Sequence, residues 1–329
     1  MKFNNAKRKL LVLAGAATLP WALGLPAQAA DYPTRTITWV VPFPPSGAMD
    51  VIARTLGEQM SKELGQAVVI ENRPGAGGNI GASHVAHSKP DGYTIMIAAN
   101  GMAVNPSLYK SLNYDPIKDF EPVSLLAYVP NILVTQASRK DVNTVADVLA
   151  LAKANPDKYT FASAGVGTSI HLAGELFNSL GHIKMMHVPY KGSGPAMTDL
   201  LGGQVDFMFD SITSAKPHIQ SGKLKAIAVT TSKRSATLPD VPTVAESGLP
   251  GYDLTPWFAT FVPAGTPPEI VARLNKSMLD AMKTPKVQAT FSTIGAEAIG
   301  STPAELKTYL AAEESKWSRV IKEAGIQAN

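Results

Sequence analysis

The chain has 329 residues, 45% of them hydrophobic and 17% charged, the balance of a globular protein and not of a disordered one. Its 30 basic and 26 acidic residues leave a formal charge of +4. Lys2, Lys7, Arg8 and Lys9 account for the whole excess, so the remaining chain is neutral and gives no support to nucleic-acid binding.

Those four residues open a distinct segment. An apolar core runs from Leu10 to Leu25, and Ala27-Gln28-Ala29 is a small-residue cleavage signal. Residues 1–30 read as a secretory signal peptide cut near Ala29 or Ala30. The apolar run is too short, and too interrupted by Pro20 and Pro26, for a membrane anchor. The absence of cysteine excludes disulfides, thiolate metal sites and a cysteine nucleophile.

From residue 37 the chain alternates strands and helices, which implies α/β layers with mostly parallel central sheets. The apolar strand 37–41 enters Pro42-Phe43-Pro44-Pro45-Ser46-Gly47, and a helix with apolar positions Val51, Ile52, Leu56 and Met60 follows. Strand 67–70 ends in a Pro/Gly-rich turn, a helix covers 80–88, and strand 93–98 leads into Asn100-Gly101. Strands at 123–127 and 131–135 flank Tyr128-Val129-Pro130, where the chain crosses into a second domain. There the rhythm repeats, with strands at 159–163, 185–188, 205–209 and 224–230 and helices at 145–154, 169–180, 195–201 and 214–220. The Pro- and Gly-rich stretch 239–256 returns the chain to strand 257–262. Two amphipathic helices, 267–282 and 303–324, are expected to pack on the first domain. The expected domains are 31–130 with 255–329, and 131–254, joined by two crossings around a ligand cleft.

Two stretches share one grammar of strand, small-residue loop and helix start. The first holds Phe43, Pro45, Ser46 and Gly47, the second Ser163, Ala164, Gly165, Val166, Gly167 and Thr168. The first N–H groups of a helix lack intrahelical partners, and the helix dipole favours an anion there. Taken alone, either loop is a ligand jaw or an ordinary βα turn. Ligands of open α/β sheets bind at the C-terminal ends of the strands, where both loops lie. Asp210 and Asn100 fall in the same layer, Asp210 serving either a ligand amine or its own turn. Trp257 and Phe43 are candidates for an apolar wall, with the core as the alternative.

Neither Gly75-Ala-Gly-Gly-Asn-Ile80 nor Gly165-Val-Gly-Thr-Ser-Ile170 completes a dinucleotide fingerprint, and no phosphate-binding P-loop is present. There is no G-x-S-x-G elbow, and Ser193 in Lys191-Gly-Ser-Gly-Pro195 lacks that spacing. Six scattered histidines include no metal-binding spacing, and His171 near a helix start suits capping or packing. No catalytic residue, metal site or cofactor is expected.

The residues taken together resemble the Bug-type substrate-binding proteins of tripartite tricarboxylate transport systems. The matching blocks are Pro42-Phe-Pro with Gly47 and Asp50, Asn72-Arg-Pro-Gly-Ala-Gly-Gly-Asn-Ile-Gly81, Pro90-Asp-Gly-Tyr93 and Asn105-Pro106 with Leu108-Tyr109. They continue with Ser163-Ala-Gly-Val-Gly-Thr168 and His171-Leu172, Val188-Pro-Tyr-Lys-Gly192, Gly202-Gly-Gln-Val-Asp206, Leu238-Pro-Asp-Val-Pro-Thr-Val-Ala-Glu246 and Pro263-Ala-Gly-Thr-Pro267. The resemblance covers nearly all of the chain after the leader. It implies a type 2 periplasmic binding protein fold of two hinged domains. It also implies a carboxylate ligand held by backbone N–H groups and water, and docking on cytoplasmic-membrane transporter subunits. The chain is expected to act as a monomer, with an aromatic or a di- or tricarboxylate as ligand. A ligand-sensing subunit for a membrane kinase and a periplasmic hydrolase are the alternatives. One departure stands out: the family's usual Pro-Phe-Pro-Ala-Gly-Gly reads Pro42-Phe-Pro-Pro-Ser-Gly47 here. Pro45 removes an N–H donor, and Ser46 puts a hydroxyl in place of a glycine, so these two are expected to shape ligand preference.

Overall fold

The computed structural model describes residues 32–326, so the signal-peptide reading lies outside the described residues. Its elements are β1 (Ile37–Val41), α1 (Ala48–Leu64), β2 (Val68–Asn72), a 3-10 turn (Ala76–Gly78), α2 (Asn79–Ala86), β3 (Thr94–Ala98), α3 (Gly101–Leu108), β4 (Phe120–Tyr128) and β5 (Asn131–Gln136). They continue with α4 (Val145–Ala154), β6 (Thr160–Ser163), α5 (Ser169–Gly181), β7 (Met186–Pro189), α6 (Ser193–Gly202), β8 (Phe207–Ser211), α7 (Ile212–Gln220) and β9 (Leu224–Val229). Last come β10 (Trp257–Pro263), α8 (Pro268–Met282), α9 (Pro285–Ile294), β11 (Glu297–Ala298) and α10 (Pro303–Ala324).

The strands form two sheets, ordered β11-β4-β10-β3-β1-β2 and β7-β6-β8-β5-β9. The chain changes sheet between Tyr128 and Asn131 and again between Val229 and Trp257. The α/β class is as expected, but the sheets are mixed where mostly parallel ones were expected. β1 runs parallel to β2 and β3, and β6 runs parallel to β7 and β8, each joined by a crossover helix. β10 and β5 run antiparallel to their neighbours. Both are entered through a crossing between sheets, so no crossover helix constrains their direction.

Strand alternation distributes the core. On β10, Trp257, Ala259 and Phe261 join one hydrophobic cluster, whereas Phe258 and Val262 join another. α1 buries Ile52, Ala53, Leu56 and Met60 at helical spacing and ends at Gly65, whose φ of 66° closes the helix.

α10 corrects an expectation. Its first half buries Leu306 and Leu310 with Trp257 and Phe261, but its second half buries Trp317 and Ile321 with Phe177 and Tyr252. The helix therefore bridges both sheets instead of packing on the first alone. Twenty-two residues span about 33 Å, long enough to reach both. Midway along it, Glu313 Oε2 accepts both the Trp257 and Trp317 indole N–H groups, each at 3.1 Å.

Candidate functional site

Six helices begin at one cavity of about 160 Å³. Lining it are Gly47, Ala48 and Met49 at the start of α1, Gly78 and Asn79 at α2, and Gly101 and Met102 at α3. Thr168, Ser169 and Ile170 line it from α5, Ser193 and Gly194 from α6, and Ser211 and Ser214 from α7. Each helix start directs the positive end of its dipole to the cavity, worth about 0.3–1 kcal/mol each towards an anion. Among the described residues lining it there is no Lys, Arg or His. Neutralising an anion here falls to backbone dipoles and hydroxyls. Phe43, Met49, Met96, Met102, Ile170 and Phe258 supply an apolar wall.

The first loop is braced from behind. Asp50 Oδ2 accepts the Ser46 N–H at 3.0 Å and the Arg54 Nε at 2.9 Å. Asn72 Nδ2 donates to Asp50 Oδ1 and to the Phe43 carbonyl, both at 2.9 Å. Burial by itself would raise the Asp50 carboxyl, but Arg54, the Ser46 N–H and Asn72 together hold it below the usual range. Asp50 and Asn72 thus set the shape of the loop.

The second loop is braced by two histidines, His171 and His187, with ring centroids 4.1 Å apart. Ser163 Oγ accepts the Gly165 N–H at 3.1 Å and lies 2.6 Å from His187 Nε2. Burial, together with His171 alongside, lowers His187 to about 3, which keeps it neutral. His171 Nδ1 accepts the Gly167 N–H at 3.3 Å. Thr168 caps α5, and both its N–H and its hydroxyl donate to the Gly165 carbonyl.

These bonds change which donors face a ligand. The amides of Gly165, Gly167 and Thr168 are used within the loop. The donors left for a ligand are the first-turn amides of α5, at Ser169 and Ile170. In the first loop the Ser46 amide is likewise taken, which leaves the start of α1.

His171, Glu175 and His187 also bring potential metal-ligating atoms within 4.8 Å of one another. The imidazole planes are tilted by 32°, and one nitrogen on each ring already holds a loop hydrogen bond. The cluster is built to brace the loop.

Of the residues expected at the site, Phe43, Pro45, Gly47, Ala164, Gly167, Thr168 and Asp210 line the cavity. Ser46, Ser163, Gly165 and Val166 belong to the two loops but not to its lining. Ser46 adopts φ 76°, the left-handed region, and turns its N–H to Asp50. Val166 gives its carbonyl to the Tyr109 hydroxyl at 3.1 Å, a bond between the two sheets' segments. Asn100 is fully buried behind the cavity, accepting the Trp257 N–H at 3.3 Å. Trp257 is fully buried on the opposite face of β10, against Tyr309 of α10. Its neighbour Phe258 takes the place expected of it, a shift of one residue that reverses the face of a strand.

Sequence reasoning missed Asn79, Asn105, Tyr114 and Ser193 as site residues. The Asn79 side-chain carbonyl accepts from Asn105 Nδ2 and from the Tyr114 hydroxyl, both at 2.7 Å. Asn105 Oδ1 stays buried without a partner. Ser193 donates to Asp210 Oδ1. Asn105-Pro106 and the Gly-Ser-Gly around Ser193 were visible as motifs, but neither carries a signal of what it contacts.

The chain matches the family model described as "Tripartite tricarboxylate transporter family receptor" over residues 52–326. Among solved structures it resembles the periplasmic binding protein BugD, at 39% identity and a TM-score of 0.86, with 91% of this chain and 100% of that one covered. An R. palustris protein solved with adipate gives 39% identity and a TM-score of 0.87, over 90% of this chain and 99% of that one. MatC from Rhodopseudomonas palustris, solved with bound malate, gives 36% and 0.84, over 88% and 100%. Among the described residues no helix is long and apolar enough to cross a membrane. By the match over most of its length, the chain belongs to the tripartite tricarboxylate transporter receptor family, a family of solute-binding proteins.

Proposed function

We propose that this protein captures a small organic carboxylate in the periplasm, between the 42–47 and 163–168 loops, and delivers it to the membrane subunits of a tripartite transporter. The observation that carries the reading is the convergence of six helix N-termini on a cavity without a basic side chain. Such a cavity suits an anion of modest charge, with its oxygens at the helix starts and an apolar body against Phe43, Met49, Met96 and Phe258. A dicarboxylate with an apolar middle, or an aromatic carboxylate, fits that description. A tricarboxylate brings a third charge to a site with no cation. The family likeness to proteins solved with adipate and malate supports the dicarboxylate.

In this reading residues 31–130 with 255–329, and 131–254, are two domains that close by hinge motion through the two crossings. The protein acts as a monomer and performs no chemistry on its ligand. Phe43, Pro45, Gly47, Ala164, Gly167, Thr168 and Asp210 meet the ligand, while Ser46, Ser163, Gly165, Val166 and Asn100 hold them in place.

A thermal-shift panel tests it, with straight-chain dicarboxylates, benzoate-type acids and citrate. At a hundredfold excess over Kd, a ligand of the folded state stabilises by about 2.7 kcal/mol, an upward shift of several degrees. A panel that leaves the melting temperature unmoved rules the carboxylate reading out.

A further inference from the structure

Asp210 is the only charged side chain among the described residues that line the cavity. It sits on β8, opposite Ile132 of β5, and is fully buried. Oδ1 accepts from the Ser193 hydroxyl and from the Ser211 N–H, the latter at 2.7 Å. Oδ2 is buried with no partner at all. A buried carboxylate oxygen left unpaired is costly, and so is a second negative charge brought against it.

No basic side chain lines the cavity beside it. β5 and β6 carry no titratable side chain. α5 brings His171 and Glu175, which lie towards each other, and β7 brings His187, bonded to Ser163. α6 brings Asp199, which accepts the Tyr190 hydroxyl. α7 brings Lys216 and His218, and α1 brings Asp50, paired with Arg54. None of these charges acts on the Asp210 proton, which is set by burial against the Ser193 and Ser211 bonds.

Building on the carboxylate reading above, we propose that Asp210 recognises the far carboxylate of a dicarboxylate ligand. With ligand in place it is a neutral acid whose Oδ2–H donates to that carboxylate, and capture takes up one proton from solvent. Burial pushes the Asp210 carboxyl up to about 6 in the ligand-free site, so at neutral pH most of the free protein is ionised there. A second carboxylate against Oδ2 moves the proton equilibrium higher, because a like charge beside it disfavours the ionised form. Between the free and bound pKa values, affinity falls about tenfold for each unit of pH. A monocarboxylate leaves Oδ2 unpaired and takes up no proton, so the same residue selects for the second acid group.

Calorimetric titration of the mature chain, in PIPES and in Tris at neutral pH, measures the proton count. The probes are succinate, glutarate, adipate and the monoacid hexanoate. The expected result is close to one proton taken up with the tightest dicarboxylate, and an affinity that weakens about tenfold from pH 7 to 8. Asp210→Asn abolishes both while keeping its affinity at pH 8. Ser193→Ala removes a bond that favours the ionised form and moves the profile to higher pH. A wild-type protein that binds a dicarboxylate without proton uptake overturns the proposal and leaves the carboxylate reading standing. So does an Asp210→Asn protein that keeps the pH slope, or one that folds but binds at no pH, since Asp210 would then serve a ligand donor as an ion. Failure of the wild type to bind any of the three dicarboxylates overturns both.

Discussion

On the hinge-closure reading proposed above, Gly77 is the residue whose substitution separates closure from folding. It adopts φ 64° and ψ 21°, and a Cβ built on it would lie 2.2 Å from the Val166 carbonyl oxygen. That oxygen belongs to the second loop and accepts the Tyr109 hydroxyl at 3.1 Å. Gly77→Ala therefore introduces two costs. The first is the left-handed backbone conformation, about 1–2 kcal/mol for a residue with a Cβ. The second is an overlap of about 1 Å with a backbone atom, which rotamer change cannot relieve, and overpacking of this kind costs about 1–3 kcal/mol. The cheapest relief is to part the two segments and lose the Tyr109–Val166 bond, itself worth about 1 kcal/mol. The closed form then weakens by roughly 1–3 kcal/mol, and ligand affinity by about five- to 150-fold. Gly65→Ala is the control. Gly65 has nearly the same φ, 66°, but a Cβ there meets nothing within 4 Å. Both variants should lose similar thermal stability, while only Gly77→Ala loses affinity for a dicarboxylate by calorimetry. Equal affinity in the two variants would refute the reasoning, whatever their melting temperatures.

Other outcomes follow from the same geometry. Gly47→Ala keeps an allowed backbone, since φ is −76° and a Cβ there meets no atom within 4 Å, so its melting temperature should stay within about 1 °C of wild type, as for a surface change. The added methyl beside the first amides of α1 should weaken ligand at least tenfold, and unchanged affinity would remove that helix start from the site. Ser46→Gly relieves the strain of φ 76° and should stabilise the fold by about 0.5–1 kcal/mol after the extra entropy of glycine, read by urea denaturation. Because Ser46 does not line the cavity, its ligand ranking should not change. His187 is held neutral when folded and protonates when unfolded, so the unfolded chain binds more protons below about pH 6.5 and stability falls as pH drops from 7 to 5. Asp210 acts in the opposite sense over part of that window, and the difference between wild type and His187→Gln isolates the histidine term. The variant should show a smaller loss of urea midpoint over that interval, and an identical loss would contradict the role given to His187.

Much of the fold was legible because its causes are local. Runs such as Ile37–Val41 and Thr94–Ala98, bounded by Gly and Pro, read as strands, and the periodicity of α1 and α10 read as helices. α3 was missed because it starts at Gly101 and contains Pro106, both of which signal a break. Its presence matters to the site, since α3 carries Met102 and Asn105 to the cavity wall.

The sequence by itself marked two strand–loop–helix units as candidates for anion-binding helix starts, because unpaired first-turn amides are a property of the backbone within a few residues. With no cysteine in the chain, it also excluded thiolate chemistry. Only the tertiary structure decided which donors remain free. The Ser46, Gly165, Gly167 and Thr168 amides looked available in sequence, yet Asp50, Ser163, His171 and the Gly165 carbonyl take them. The same holds for the choice of Phe258 over Trp257, which depends on the register of β10 between β3 and β4. It holds again for the pairing of Asp210 with Ser193, 17 residues away on another element. Hydrogen-bond partners and strand faces are set by contacts between distant segments, and no local pattern encodes them.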